Sequence, residues 1–331
     1  DKLALTEAGD DPLAATTPGV DSVGYNVDEV LYAKRDSLGY DPVFVYSTDP
    51  DSALYRISFS SVGAGNGDYA LDRFTPSGRV FKWLGPDTVS GTIVRRGDYA
   101  PVRVLVPPRA QQVIEVGAAH KFNDRFKAWT NLAWSNDDKN TFSPIDDADN
   151  QGAALRAGAE FAIPINKADT SVRLVIGTDN EWLGRTFRPV ERFRPVEFER
   201  NWNALLVPQD NDQVLAGASL GIRAGKKGMA KLSSTTFRIT DRYTGYRQLL
   251  ESDMHFGKYD VSATGSLLNT TAKLVVSDFV RHKARVQRRM KHIIVGLKDE
   301  HEHNRFRSDT SGALLTGSYQ FLDWEAFVQS A

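Results

Sequence analysis

Gln111-Gln-Val-Ile-Glu-Val-Gly-Ala-Ala-His-Lys121, Arg125-Phe-Lys-Ala-Trp-Thr-Asn-Leu-Ala-Trp-Ser135 and their continuation to Ile222 decide the fold. Ile114, Val116 and Ala118 alternate with Glu115, Gly117 and Ala119. After Asn123-Asp124 the alternation resumes, with Phe126, Ala128, Thr130, Leu132 and Trp134 set against Arg125, Lys127, Asn131 and Ser135. It returns as Leu155, Ala157, Ala159, Phe161, Ile163, and again as Val214, Ala216, Ala218, Leu220, Ile222. Successive side chains of a strand point to opposite faces, so each segment presents one apolar and one mixed polar face. Segments of about ten residues with this pattern are the signature of a transmembrane-type β-barrel.

Outward from that stretch, about twelve strands are expected. Their spans are 111–121, 125–135, 153–163, 171–182, 213–223, 229–240, 246–256, 259–268, 272–281, 287–298, 312–322 and 324–329. The connections run short at Asn123-Asp124, long at Asn136–Gly152, short at Pro164–Thr170, long at Leu183–Asp212 and short at Ala224–Gly228. Alternating tight turns and longer loops are what outer-membrane barrels display. The parity continues if Asn269–Thr271 is a tight hairpin, Lys298–Ser311 a long loop and Leu322-Asp323 a turn. Phe122, Trp134, Phe161, Trp182, Phe256, Tyr259, Phe321 and Trp324 near strand ends fit an interfacial girdle. Arg156, Glu160, Arg173, Asp179 and Arg223 fall on the mixed face. Met229–Thr240 has no clear face. A soluble β-sandwich or solenoid would carry the same alternation, with its apolar face against another sheet; loop-length parity favours the barrel.

With 41 Lys plus Arg against 42 Asp plus Glu, the net charge is −1, which gives no reason to expect nucleic acid as a partner. Cysteine is absent, so disulfides, thiolate metal sites and a cysteine nucleophile are excluded. The longest apolar runs hold about five residues, far below the roughly 20 of a membrane helix, so a membrane-embedded chain would cross as strands. Asp1 opens without a signal sequence and the chain stops at Phe327-Val-Gln-Ser-Ala331 in mid-pattern, which reads as a piece of a longer protein.

The domain reading has three parts. Residues 1–41 are a linker or covering segment, 42–109 a small β-rich module, and 110–331 an antiparallel hairpin array forming a barrel or part of one. Within the module, Gly63-Ala-Gly-Asn-Gly-Asp68 offers glycines two apart. Such spacing can cradle phosphate or calcium, but no helix pattern or tandem repeat follows, and a tight loop needing positive φ is the simpler reading.

Few stretches suggest chemistry. Phe187-Arg-Pro-Val-Glu-Arg192 is followed by the near-repeat Phe193-Arg-Pro-Val-Glu197 and then Phe198-Glu-Arg-Asn-Trp202. Pro189 and Pro195 oppose a regular helix or a central strand. Phe187, Arg188, Glu191, Arg192, Phe193, Arg194, Glu197, Arg200 and Trp202 are therefore the candidate functional loop. It reads either as a constriction folded into a barrel mouth or partner-docking strip, or as a self-paired surface loop. Arg281–His292 is rich in cations, and a solvated hairpin face is favoured over an anionic lipid contact. His301 and His303 lie two apart and would share a strand face within reach of one metal; no third ligand is identifiable, and a solvated loop is preferred. Asp146, Asp147 and Asp149 read as an acidic loop rather than a calcium site. No Gly-x-Ser-x-Gly elbow occurs, no catalytic constellation stands out, and neither cofactor nor enzyme activity is expected.

Tyr40-Asp-Pro-Val-Phe-Val-Tyr-Ser47, Val62-Gly-Ala-Gly-Asn-Gly-Asp-Tyr69, Gly78-Arg-Val-Phe81, Gly97-Asp-Tyr-Ala-Pro-Val102 and Phe198-Glu-Arg-Asn-Trp202 resemble large, poorly characterised outer-membrane proteins of the Bacteroidota type. The resemblance runs from about Tyr40 to the end. It implies a β-rich region followed by a long run of barrel-like hairpins and carries over no functional residue. The expected function is an outer-membrane pore, transporter or assembly platform, with the lipid bilayer and other envelope proteins as partners. The alternative is a secreted or surface-attached soluble β protein that binds glycans or proteins; an outer-membrane or extracellular hydrolase ranks last.

Overall fold

The computed structural model describes residues 1–37, 40–89, 92–166 and 171–330. The chain is all-β apart from short helices, and it divides into two compact units: 1–110 with 138–148, and 111–137 with 149–331.

The first unit opens with helix α1 (Lys2–Glu7). It continues through β1 (Thr16–Pro18), β2 (Val20–Ser22), β3 (Tyr32–Ser37), β4 (Tyr40–Tyr46), β5 (Ala53–Ile57) and β6 (Ser60–Ser61). Then come β7 (Tyr69–Thr75), β8 (Gly78–Trp83), β9 (Asp87–Val89), β10 (Thr92–Val94), β11 (Tyr99–Ala100) and β12 (Val102–Val104). Two four-stranded sheets result, in the orders β2-β5-β3-β4 and β6-β11-β7-β8, with β1–β12 and β9–β10 as separate pairs. Segment 1–41, expected to be a linker or covering segment, supplies β1, β2 and β3, strands whose partners lie later in the chain. Short strands lacking clean alternation hid this, because β1 and β2 are only half-buried and burial in β3 gathers at Tyr32 and Ala33.

Tyr32, Phe44, Tyr69 and Phe81 form the unit's buried cluster, with Phe59 stacked on Phe81 at 4.6 Å. Segment 138–148 belongs here because Asn140 Nδ2 donates to the carbonyls of Leu5 and Gly9, each at 2.7 Å. Gly63 and Gly65 adopt φ of +92° and +73°, as expected of a glycine-rich turn. Gly67 bridges Gly97 so closely that a Cβ on Gly67 would lie 2.2 Å from the Tyr99 carbonyl oxygen.

The second unit is one up-and-down sheet of eleven strands. In order these are β13 (Ala110–Lys121), β14 (Phe126–Asp138), β15 (Gln151–Pro164), β16 (Val172–Leu183), β17 (Gln213–Ala224) and β18 (Gly228–Ile239). They continue as β19 (Tyr243–Phe256), β20 (Tyr259–Ala272), β21 (Val275–Arg289), β22 (Ile293–Ser308) and β23 (Tyr319–Ser330). Each strand pairs only with its sequence neighbours, and the sheet is open, with β13 and β23 as edges. The turn expected at Pro164–Thr170 lies partly outside the described residues.

From β20 onward the strands run longer than expected. Asn269–Thr271 is not a hairpin: Asn269 Nδ2 donates to Asp278 Oδ1 at 2.8 Å, and the Thr270 and Ser277 hydroxyls lie 2.6 Å apart. These cross-strand bonds extend the ladder past the point where apolar alternation ends, and the turn falls at Lys273-Leu274. Lys298–Ser308 is strand rather than loop, because its charges are paired across the sheet: Lys298 with Glu325 and Glu300 with Lys283, both at 2.8 Å. Of the strand expected at 312–322, residues 312–318 form a turn region in which Gly312 and Gly317 take positive φ, and 319–322 open β23. Leu322-Asp323 lies inside β23, which moves Phe321 off the girdle and onto the polar face opposite Glu302.

Cross-strand partners share a face, so the register resolves the sheet into two surfaces. One carries Phe126, Leu132, Trp134, Phe161, Ile176, Trp182, Leu220, Ile222, Leu232, Leu250, Leu267, Val286 and Leu297. All except Phe126, which is half-buried, are exposed; Leu132 is 56% and Leu220 52% accessible. The other carries Lys127, Arg156, Glu160, Asp179, Arg223, Lys231, Glu251, Lys283 and Glu300.

Candidate functional site

The connection 184–212 between β16 and β17 turns onto the polar face instead of standing free. Its near-repeat makes two successive dockings. In the first, Phe187 is buried over Gly152, where a Cβ would fall 2.3 Å from the Phe187 backbone. The Arg188 amide donates to Ser135 Oγ at 3.0 Å, and the Arg188 carbonyl accepts from Gln111 Nε2 at 3.3 Å. In the second, six residues on, Arg194 Nε donates to Glu181 Oε1 at 2.9 Å, and the guanidinium also bonds Gln213 Oε1. Arg194 and Glu181 are each only 11% exposed. The Arg194 guanidinium lies over the rings of Phe198 at 4.4 Å and Phe237 at 5.2 Å.

Pro195 is followed by the single-turn helix α2 (Phe198–Asn201), which delivers Phe198 and Trp202 into a buried cluster with Phe237, Ile239, Tyr243, Leu268 and Phe279. The Tyr243 hydroxyl donates to the Trp202 carbonyl oxygen. Gly245 makes room, since a Cβ there would sit 2.4 Å from Tyr243 Oη and 3.1 Å from the Trp202 ring. Asn203, at φ +50°, donates to Ser277 Oγ at 2.8 Å and exchanges hydrogen bonds with Asn304 at 2.9 Å. Arg200 reaches the buried Glu302 at 3.3 Å, and Tyr319 Oη donates to the same carboxylate at 3.0 Å. The neighbouring Glu197 holds the Arg200 pKa above its ordinary value by hydrogen bonding, despite partial desolvation.

Of the nine loop candidates, Arg194, Arg200 and Trp202 converge on the β16–β22 surface, with Phe193 half-exposed beside Arg194. Phe187 and Arg188 dock separately near β14 and β15. Arg192 bonds Glu199 within the loop at 2.6 Å, Glu197 pairs with Arg200, and Glu191 is exposed and stands apart. The sequence reading missed Phe198 and Asn203 in the loop and every receiving side chain beneath it. One signal was available. Met229–Thr240 lacked a clear face because the apolar phase inverts within β18, from Ala230 and Leu232 on one face to Phe237 and Ile239 on the other, where the loop covers the polar side.

His301 and His303 occupy β22 rather than a loop. His282 stands directly across from His301, the ring centroids 5.5 Å apart, and His301 and His303 are 6.3 Å apart. His282 Nε2 is bonded to Asp299 and His301 Nε2 to Gln320, so one ring nitrogen of each is engaged within the sheet. Among the described residues no group of three His, Cys, Asp or Glu is arranged to hold a metal ion. The basic run of β21 puts Arg281, Lys283, Arg285 and Arg289 on the polar face, where Lys283 pairs with Glu300 and Arg289 with Asp260 at 2.7 Å.

Beneath the loop, a cavity of about 290 Å³ is lined by Arg156, Asp179, Asn201, Trp202, Thr235 and Arg247 among others. A second, of about 430 Å³, lies further down the same face beside Trp129, Glu160, Ser219 and Arg223. Both open on the polar surface and share Asp179, Leu215, Thr235 and Leu249. No family model, curated protein or solved structure matches the chain.

Proposed function

We propose that the eleven-stranded sheet is a sector of an outer-membrane β-barrel wall. Its apolar face meets lipid, its mixed face meets water, and 184–212 is an inward-folded loop that narrows the water side. The protein then acts as a pore or transporter, or as a platform for assembling other envelope proteins. One observation carries this reading: the sheet's large apolar side chains are exposed together on one face, while its other face is charged and partly roofed. A water-soluble sheet would have to cover such a patch. Lipid instead favours it, provided every backbone donor and acceptor is paired within the sheet.

Dimensions support the reading. Phe126 and Trp134 on β14 are eight residues apart, about 27 Å along a strand and about 20 Å after the tilt usual in barrels, against an apolar band of about 25 Å. Phe126, Phe161, Phe256 and Tyr259 mark one rim of the band, and Trp134, Trp182 and Tyr246 the other. The resemblance to Bacteroidota-type outer-membrane proteins points the same way. The chain, expressed behind a secretion signal, is expected to fractionate with outer membrane and to require detergent. Recovery as a soluble monomer in plain buffer overturns the proposal. Conductance in planar bilayers then separates a pore from an assembly platform.

A second reading, a surface-attached glycan or protein binder, draws on Trp129. That ring lies on the polar face over Gly158, beside the larger cavity, where an aromatic can stack on a sugar.

A further inference from the structure

The arginines around the loop are not all used alike. Arg156 is bidentate to Asp179, Arg192 pairs with Glu199, Arg194 with Glu181 and Arg200 with Glu302. Arg247 and Arg281 make no carboxylate ion pair among the described residues. Arg247 on β19 donates through Nε to the Ser266 hydroxyl at 3.0 Å, and Arg281 on β21 donates through Nη1 to Asn201 Oδ1 at 2.8 Å. Both acceptors are neutral. Both guanidiniums are half-buried, carried on aromatic rings: Arg247 over Trp202 at 5.9 Å and Arg281 over Phe279 at 4.6 Å. They flank Ser266, which pairs with Arg281 in the ladder, and they repel each other.

The carboxylates near them attract them through space but form no ion pair with them. Glu302, opposite Arg281, already accepts from Arg200 and Tyr319. Asp179 and Glu181 are occupied by Arg156 and Arg194. Glu251 lies on the same face of β19, four residues from Arg247, and attracts it only through space. Arg247 also lines the 290 Å³ cavity, together with Asn201 and Thr235, so its remaining N–H donors are within reach of a small molecule.

We propose that Arg247, with Asn201 and Thr235, forms a binding site for a small oxyanion, the phosphate or carboxylate group of a ligand lodged under the loop, and that Arg281 is a positioning residue, holding the Asn201 side chain through its Oδ1. The Arg247 guanidinium supplies the planar donor set that such groups accept, and in a partly desolvated site these charge-assisted bonds strengthen. The site goes beyond the pore or platform reading and does not depend on it, since the same arginine would bind an anion on the open face of a soluble sheet.

Isothermal titration of the folded chain in detergent, with inorganic phosphate and separately with acetate, tests this against chloride at matched ionic strength. Saturable binding of either probe is expected, and which probe binds identifies the headgroup. Arg247→Gln should weaken it about tenfold or more, and Arg281→Gln, which frees the Asn201 side chain, by a smaller factor. Arg247→Lys should retain part of it, and Lys226→Gln, an exposed cation in the turn between β17 and β18, should leave it unchanged. Circular dichroism and loop protection from protease establish that each variant is folded with the loop docked. No saturable binding of either probe, or equal affinity in Arg247→Gln and the parent chain, overturns the proposal.

Discussion

Arg194 and Glu181 form a nearly buried ion pair that joins the centre of the 184–212 connection to the polar face of β16. Gln213 receives the same guanidinium from the other side of the loop's base, at the first residue of β17. One side chain thus ties the loop to both strands that it connects. Removing one partner of such a pair strands the other charge away from water, at a cost of about 3–5 kcal/mol. Arg194→Ala and Glu181→Gln should therefore release the loop. Hydrogen exchange should accelerate across 198–204 in each variant, with the ladder amides of β14 to β17 still protected. Equal protection of the loop in variant and parent would show the pair to be dispensable.

The aromatic cluster should matter about as much as the pair. Phe237 and Trp202 are 0% and 3% exposed, and truncating a buried aromatic costs about 3–5 kcal/mol. Phe237→Ala is expected to lower the unfolding midpoint and to expose the loop to protease in one variant, since ring and loop form a single packed body. Gly245→Val should reproduce the loop's release from the other side, by filling the space held for Tyr243 Oη and Trp202. Leu206→Ala is the matched control, because that side chain projects from the same loop at 98% exposure and should change neither measurement.

In the first unit, Tyr32 Oη accepts the Phe81 amide and Tyr69 Oη accepts the Phe44 amide, both at 2.9 Å. Each tyrosine reaches from one four-stranded sheet into the other. Burial pushes the Tyr32 hydroxyl up to about 12 and Tyr69 upward as well, with the accepted amide bonds opposing the shift. The folded pKa is raised, so the stabilisation is fully present below the unfolded value of about 10 and is lost as pH rises towards about 12. The unit should unfold within that window, followed by tyrosinate absorbance together with near-ultraviolet circular dichroism. Tyr32→Phe should be less stable at neutral pH, because the Phe81 amide loses its acceptor, yet show a shallower alkaline loss. An identical alkaline slope in that variant would remove Tyr32 from the account.

Much of the wall was legible in sequence because period-two alternation is a local property, and β13 to β19 lie within a few residues of their expected spans. The later strands were misjudged for a definite reason. Asn269, Thr270, Lys298 and Glu300 are held in strands by partners on neighbouring strands, and no local pattern encodes such pairing. The loop stood out through Pro189, Pro195 and its doubled Phe-Arg, which mark an irregular segment needing anchorage. Where it anchors was not readable, because Glu181, Phe237 and Asn304 become its neighbours only through sheet register. The third imidazole escaped for the same reason: His282 meets His301 only across the β21–β22 ladder.

The apolar face provides the last test, because lipid and water make opposite demands along one strand. On β17, Val214, Ala216, Ala218, Leu220 and Ile222 share that face, with Ala218 in the middle. In a bilayer, an arginine at the midplane costs about 2–4 kcal/mol, falling to about 0–1 near the interface. Ala218→Arg should therefore destabilise folding into vesicles by that larger amount, and Val214→Arg by the smaller. Ser219→Arg, one residue along but on the polar face, should cost less than Ala218→Arg despite an almost identical depth. Reversible unfolding in vesicles gives all three values. A wall facing lipid requires the ordering Ala218 above Val214 and Ser219. Equal costs at Ala218 and Val214 would mean that no depth gradient exists, and the face would then have to be covered by protein rather than by membrane.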